Sequence, residues 1–251
     1  MNYWLNYSYT HAKDEITYME DPALLPAYQK NAGFQIDQTR SKIITGYMES
    51  WDDVYASVKA DKDNAYRLPG DAKILDFNAD GVIDSYDVAP YAYPDLPQNT
   101  YNVMGGLDYK GFSFMVQFYG VFNATRGYDF ITHLGTTIPV VPEEYGDYWS
   151  TNNLDATWVG PRTNTTSEQA NLALYDASYL RLKNVELSYT FSNRSWLKSL
   201  QMESMKVLVS GYNLAFWSKL PEEKERGLSE WAGARNYPIG RRANIGLNIT
   251  F

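Results

Sequence analysis

The chain has 251 residues, a formal net charge of −8 at pH 7 and a pI of about 4.8, and this acidic balance excludes nucleic acid as the main partner, because phosphate binding needs a basic face. It has no Cys and only two His, His11 and His133, which excludes disulfides, thiolate zinc sites and a Cys nucleophile and argues against a His-based metal centre or Ser–His–Asp triad. Aromatic residues make up 16% of the chain, with 22 Tyr and 7 Trp, a composition of β-structure and interfaces rather than of a helical bundle.

The chain starts with an alternating stretch. In residues 2–10, Tyr3, Leu5, Tyr7 and Tyr9 fall on one face and Trp4, Asn6, Ser8 and Thr10 on the other, which predicts a strand. This start has neither the basic residues nor the apolar core of a signal peptide, and no later run of about 18 apolar residues predicts a transmembrane helix. A transmembrane β-strand leaves a weaker trace per segment, so hydropathy alone does not settle membrane residence.

Residues 11–99 read as a long excursion, rich in Asp and broken by Pro22, Pro26, Pro69, Pro90, Pro94 and Pro97. Lys42–Met48 is a candidate strand, and Ser50–Val58 a candidate helix with Ser50 as N-cap. Inside the excursion lies Asp76-Phe77-Asn78-Ala79-Asp80-Gly81-Val82-Ile83-Asp84-Ser85-Tyr86-Asp87. Oxygen-bearing side chains stand at loop positions 1, 3, 5, 9 and 12, with Gly at 6 and an apolar residue at 8, the spacing of an EF-hand loop. Such alternation turns carboxylates and an amide onto one hard cation. The candidate ligands are Asp76, Asn78, Asp80, the Val82 carbonyl, Asp84 and Asp87, and the expected ion is Ca2+, with Mg2+ as the alternative. Asp87 replaces the usual Glu, so weaker binding or a tighter, dockerin-like loop is expected. The competing reading is a solvated Asp-rich turn.

A hairpin follows. Tyr101, Val103, Leu107 and Tyr109 share a face, Lys110-Gly111 forms the turn, and Phe112, Phe114, Val116 and Phe118 line the return. Tyr109 and Phe112 flank that turn as aromatics do at a membrane–water interface. Residues 124–176 form a second long loop with Tyr148, Trp149 and Trp158, which either contact a substrate or partner or simply pack the loop. Strands are expected at 178–191 and about 203–217, joined by the short polar connection Ser192–Leu200. A charged loop at 218–240, with Glu222, Glu223, Lys224, Glu225 and Arg226, leads to a last strand from Arg242 to Phe251. Six strands with connections alternating short and long are the asymmetry of an outer-membrane barrel, whose long loops lie outside the cell.

Several segments resemble, in order, the C-terminal quarter of SusC-like TonB-dependent outer-membrane transporters. They are Tyr7-Ser8-Tyr9-Thr10 with Lys13-Asp14-Glu15-Ile16; Asp76–Asp87 after Pro69-Gly70-Asp71; and Tyr109-Lys110-Gly111-Phe112-Ser113-Phe114. Arg181-Leu182-Lys183-Asn184-Val185 with Leu187-Ser188-Tyr189, Gly211-Tyr212-Asn213-Leu214, and Gly246-Leu247-Asn248-Ile249-Thr250-Phe251 complete the set. The resemblance implies an all-β chain: an antiparallel transmembrane β-barrel segment, about six strands of a barrel of about 22, with long extracellular loops. Residues 1–251 would be the C-terminal part of such a receptor, without its plug domain and TonB box. The resemblance further implies a Gram-negative outer-membrane location, import of an oligosaccharide or peptide under a SusD-like lipoprotein, energy from TonB, contact with outer-membrane lipid, and a terminal Phe251 read by the barrel-assembly machinery.

Two other readings stand beside it. One is a secreted, calcium-stabilised β-module that binds glycans or a protein partner; a dockerin carries two such loops, and this chain has one. The other is an enzyme, such as a glycosidase using Glu143, Glu144 or Asp147, but acidic pairs in loops are usually solvated charge and no His or positioning scaffold is evident. No enzymatic activity is expected.

Overall fold

A computed structural model describes residues 1–60, 64–127, 146–160, 170–220 and 239–251. The strands are β1 (Asn2–His11), β2 (Arg40–Ser41), β3 (Ile44–Tyr47), β4 (Ala72–Ile74), β5 (Ala89–Pro90), β6 (Asn99–Tyr109), β7 (Phe112–Phe122), β8 (Thr125–Gly127), β9 (Leu174–Asp176), β10 (Tyr179–Ser192), β11 (Ser204–Ser218) and β12 (Arg242–Thr250). Two short helices, α1 (Trp51–Ala56) and α2 (Ser195–Ser199), complete the regular elements used below.

The six long strands form one antiparallel sheet in the order β1-β6-β7-β10-β11-β12. This is the all-β, six-stranded segment that the alternating stretches predict. Because side chains alternate with a period of two, register carries each face from strand to strand. Tyr3, Leu5, Tyr7 and Tyr9 stand opposite Leu107, Gly105, Val103 and Tyr101. The same row continues through Phe114, Val116 and Phe118, then Leu187 and Val185, then Val209 and Val207, to Ile245 and Leu247. The result is a single apolar face, and much of it is bare: Tyr3 is 81% exposed, Leu5 74% and Ile245 84%.

The opposite face is a polar ladder. Gln117 donates from Nε2 to Asn102 Oδ1 at 2.7 Å and accepts from Asn184 Nδ2 at 2.6 Å, tying three strands together. Lys206 pairs with Glu186 at 3.2 Å, and Ser113 donates to Asp108. Arg181 is fully buried there, its guanidinium 4.5 Å from the Phe216 ring centroid.

Two aromatic belts bracket the apolar face. Near the short turns Phe112 lies 4.5 Å from Tyr189, and Tyr189 lies 4.6 Å from Phe191. At the other end stand Tyr9, Tyr101 and Trp217. Leu180 and Leu182 join the face of Val185 and Leu187 despite their opposite parity in sequence, because the register shifts at Leu182/Asn184 in both pairings of β10. Asn213, with φ of +53°, marks the extra residues in β11 at the same level.

The two ends of the sheet differ. At one, Lys110 (φ +48°) and Gly111 (φ +91°) turn the β6–β7 hairpin, and the short β10–β11 connection holds α2, which the sequence reading had not anticipated. Leu197, 1% exposed, seats that helix. From the other end leave all three long connections, since His11, Asn99, Phe122, Tyr179 and Ser218 lie at the same end of the register. Most of the predicted loop at 218–240, including Glu222, Glu223, Lys224, Glu225 and Arg226, lies outside the described residues.

The described parts of the long connections, 12–60, 64–98, 123–127, 146–160, 170–178 and 219–220, build a lobe with its own core. Ala72, Ile74, Ile83, Trp158 and Val159 are buried together, with Ile44, Tyr47 and Tyr175 packed against them. β3 pairs with β4, β2 with β5 and β8 with β9. Helix α1 starts where expected: Ser50 is its N-cap and accepts from the Asp53 N–H at 3.2 Å. Trp158 is 2% exposed, so Trp158→Ala should cost about 3–5 kcal/mol. Limited proteolysis should then cut within residues 12–98 at protease levels that leave the parent protein intact; identical cleavage would contradict this core.

Candidate functional site

The Asp76–Asp87 loop is wound through its own carboxylates. Asp76 accepts from the Gly81 N–H at 2.8 Å and the Asp80 N–H at 3.2 Å. Asp80 accepts from the Val82 N–H at 2.9 Å, and Asn78 Oδ1 accepts from the Asp80 N–H at 3.1 Å. Gly81 sits at φ +86°, a conformation that Cβ-bearing residues seldom adopt, which explains glycine at loop position 6.

Asp87 closes the loop differently from the sequence expectation of a simple ligand. It is fully buried, and its two carboxylate oxygens accept from the Phe77 and Asp84 N–H groups, each at 2.7 Å. The shorter Asp therefore clasps both ends of the loop where a longer Glu would reach past them. Among the described residues no three acidic or His side chains are gathered as a ready-made ion cage. The donor set of this loop also counts the Asn78 amide and the Val82 carbonyl, and all its members are oxygen, the chemistry that hard cations take. The residues match such an ion by type, with the carboxylates turned onto the loop's own N–H groups.

The loop is held to the lobe at two points. Ile83 is 7% exposed in the lobe core, and its N–H donates to the Lys59 carbonyl at 2.7 Å. Position 8 of the motif thus serves as the anchor. On the other side Tyr28 donates to the Tyr86 carbonyl at 2.5 Å, Gln29 donates to the Ser85 carbonyl at 2.6 Å, and the Tyr28 and Phe77 rings meet edge to face at 4.8 Å. Burial pushes the Tyr28 hydroxyl above its ordinary pKa, and the charges of Asp87, Asp80 and Asp84 push it the same way.

The aromatic candidates separate. Trp158 (2% exposed) and Trp149 (8%) are core side chains, so they pack the loop instead of presenting a contact surface. Tyr148, 42% exposed, stays accessible, and the bridge between Tyr148 and Trp158 joins the two segments. Phe251 is 81% exposed beyond the edge strand β12. Of the acidic trio, Glu143 and Glu144 lie outside the described residues. Asp147 acts as a local clasp: it accepts from the Thr157 hydroxyl at 2.7 Å, the Thr157 N–H at 3.0 Å and Asn153 at 2.9 Å.

One site eluded the sequence reading: a cleft in the lobe beside Arg67, assembled from residues far apart in the pattern and without a motif.

Hydrogen bonds from the Thr157 side chain, then from Asn153 and the Thr157 backbone, hold Asp147 below the usual carboxylate range. A depressed folded-state pKa contributes stability above the unfolded value, near 3.8, that is lost as pH falls through the folded value. Protection of residues 146–160 from an acid protease should therefore fall below about pH 4. In Asp147→Asn that pH dependence should disappear; a parent protein with flat protection over this range would contradict the assignment.

No protein-family model matches the chain, and no curated protein matches it. Solved structures do. The RagAB peptide transporter matches with a TM-score of 0.69 at 17% identity. The RagAB peptide importer matches in its closed-closed state with a TM-score of 0.65 at 16% identity, and in its open-open state with 0.63 at 15%. Each match covers 100% of this chain and 27% of the other. The chain therefore shares the fold of about a quarter of those longer proteins.

Proposed function

We propose that this chain is part of an outer-membrane, TonB-dependent, SusC-like nutrient importer, to which it contributes barrel wall and outer loops and no chemistry of its own. The observation that carries this reading is the continuous apolar face of six strands, bracketed by aromatic belts, with every long connection leaving from one end. That face suits lipid, and the polar ladder behind it suits a lumen. The open sheet points the same way. In hydrocarbon, each unpaired N–H or C=O along the free edges of β1 and β12 would cost several kcal/mol, and a membrane barrel needs about eight strands to close. Further strands must complete it.

The fold likeness to a peptide importer and the ordered resemblance in the sequence support a peptide or oligosaccharide as cargo and a SusD-like lipoprotein as lid. TonB acts through other parts of the importer, and the barrel-assembly machinery reads Phe251. The lobe faces outward, with Tyr148 available for contact. An antibody to β12 on fractionated cells tests this. The expected result is an outer-membrane band several times larger than 28.7 kDa that shifts on heating. A soluble 28.7 kDa band would overturn it in favour of the secreted β-module.

The Asp76–Asp87 loop, in this reading, holds Ca2+, or Mg2+ in its place, and keeps the lobe in shape. At calcium about 100 times the Kd, binding stabilises the loop by about 2.7 kcal/mol and should slow cleavage within it about 100-fold. Replacing Asp76 and Asp80 by Ala should give fast cleavage with or without chelator. Parent protein indifferent to chelator would rule the ion out.

A further inference from the structure

The lobe carries a half-open cleft of about 290 Å3, walled on its apolar side by Met48, Ile74 and Ile83. Among the described residues its charged lining is Arg67, Lys73 and Asp53, and Lys73 holds the Asp53 carboxylate at 3.0 Å. Asp53 is further engaged by the Glu49 N–H at 2.9 Å and by its own N–H bond to Ser50. Arg67 is 7% exposed. It donates from Nη1 to the Ala72 carbonyl at 2.9 Å, while its buried Nε has no hydrogen-bond partner in the protein. Buried polar groups are nearly always satisfied, and leaving one unmet costs about 1–3 kcal/mol, more when the group is charged. A guanidinium is moreover the side chain best shaped to receive a carboxylate.

We propose that this cleft binds a small carboxylate ligand, with Arg67 receiving the acid group and Met48, Ile74 and Ile83 receiving an apolar part. At 290 Å3 it sits at the lower end of ligand pockets, about 300–1,000 Å3, so it has room for about one residue or sugar unit. The acid group belongs either to an amino acid or peptide terminus or to a sugar acid. The inference goes beyond the transport reading and does not depend on it, because the lobe carries its own core wherever the protein resides.

The test is calorimetric titration of the full-length protein containing this chain, with N-acetyl-L-leucine, its uncharged amide N-acetyl-L-leucinamide, and D-glucuronate. An acid should bind with Kd of about 1 mM or tighter, and the amide at least about tenfold more weakly than N-acetyl-L-leucine if that is the acid that binds. Arg67→Met should weaken the binding acid by about tenfold or more, and Arg67→Lys should restore part of it. Preference for N-acetyl-L-leucine assigns the peptide source, and preference for glucuronate assigns the sugar-acid source. Because Arg67→Met also removes the bond to Ala72, Ala56→Leu supplies a second variant: it narrows the cleft at its lining, leaves every charge in place, and should weaken binding. No binding of either acid up to about 10 mM, or unchanged affinity of the binding acid in Arg67→Met or in Ala56→Leu, would overturn the proposal, as would equal binding of N-acetyl-L-leucine and its amide where N-acetyl-L-leucine is the acid that binds. None of these outcomes bears on where the protein fractionates, so the two readings stand or fall separately.

Discussion

A strand has two faces, and antiparallel register hands each face on to the next strand without a gap. This constraint governs everything else in the sheet. Sliding any one strand by a single residue would turn its Leu, Val and Tyr side chains onto the Asn102–Gln117–Asn184 ladder and its amides into the apolar row. The irregularity at Leu182/Asn184 shows how strictly it is kept. The extra residue in β10 stands opposite an unbroken β7 and puts Leu180 and Leu182 on the face of Val185 and Leu187, while β11 takes two extra residues at the same level, Asn213 and Leu214, and so keeps its own parity. Leu214 folds back over Gly211, where any Cβ would collide with it. The disturbance is passed sideways, and both halves keep their faces.

The sheet was largely legible in the sequence because its signal is local. Tyr3 through Tyr9, Phe112 through Phe118 and Ile245 through Ile249 each alternate within a few residues, and Lys110-Gly111 is a turn by composition alone. Only the second half of β10 alternates cleanly in sequence, because the irregularity breaks the period in its first half. Ser50 announced its helix, since capping is also a matter of neighbours three residues apart. The short α2 escaped notice because five residues hold too little periodicity; Leu197 finds its burial through tertiary packing.

The lobe was far less legible. Trp149 and Trp158 have the composition of a contact surface and the position of a core. What decides between the two is the long-range meeting of residues 146–160 with β3, β4 and Ile83, and no window of sequence contains that meeting. The cation loop was visible as a spacing, but the use of Asp87 as a clasp on Phe77 and Asp84 depends on how tightly the chain winds. Ile83 is the point where the lobe's parts converge. It anchors the loop, fills the core and walls the Arg67 cleft, so the order of one of these regions is felt by the others.

The hydrogen bond from the Ala12 N–H to the Gln98 carbonyl, 2.8 Å long, sits where the lobe's largest segment leaves and rejoins the sheet. β1 and β6 are neighbours in space, yet all of residues 12–98 lies between them. Bringing such distant ends together costs loop-closure entropy, which grows by about 0.6 kcal/mol with each doubling of length, before any ladder bond rewards it. The lobe's core offsets that cost, because residues 12–98 pack there against Trp158 and Val159 and their ends are held side by side. Assembly of the wall is then a kinetic matter as much as an energetic one: the edge strand can zip onto β6 at the pace of a hairpin once the lobe has formed, and is left waiting, with its backbone unpaired, until then.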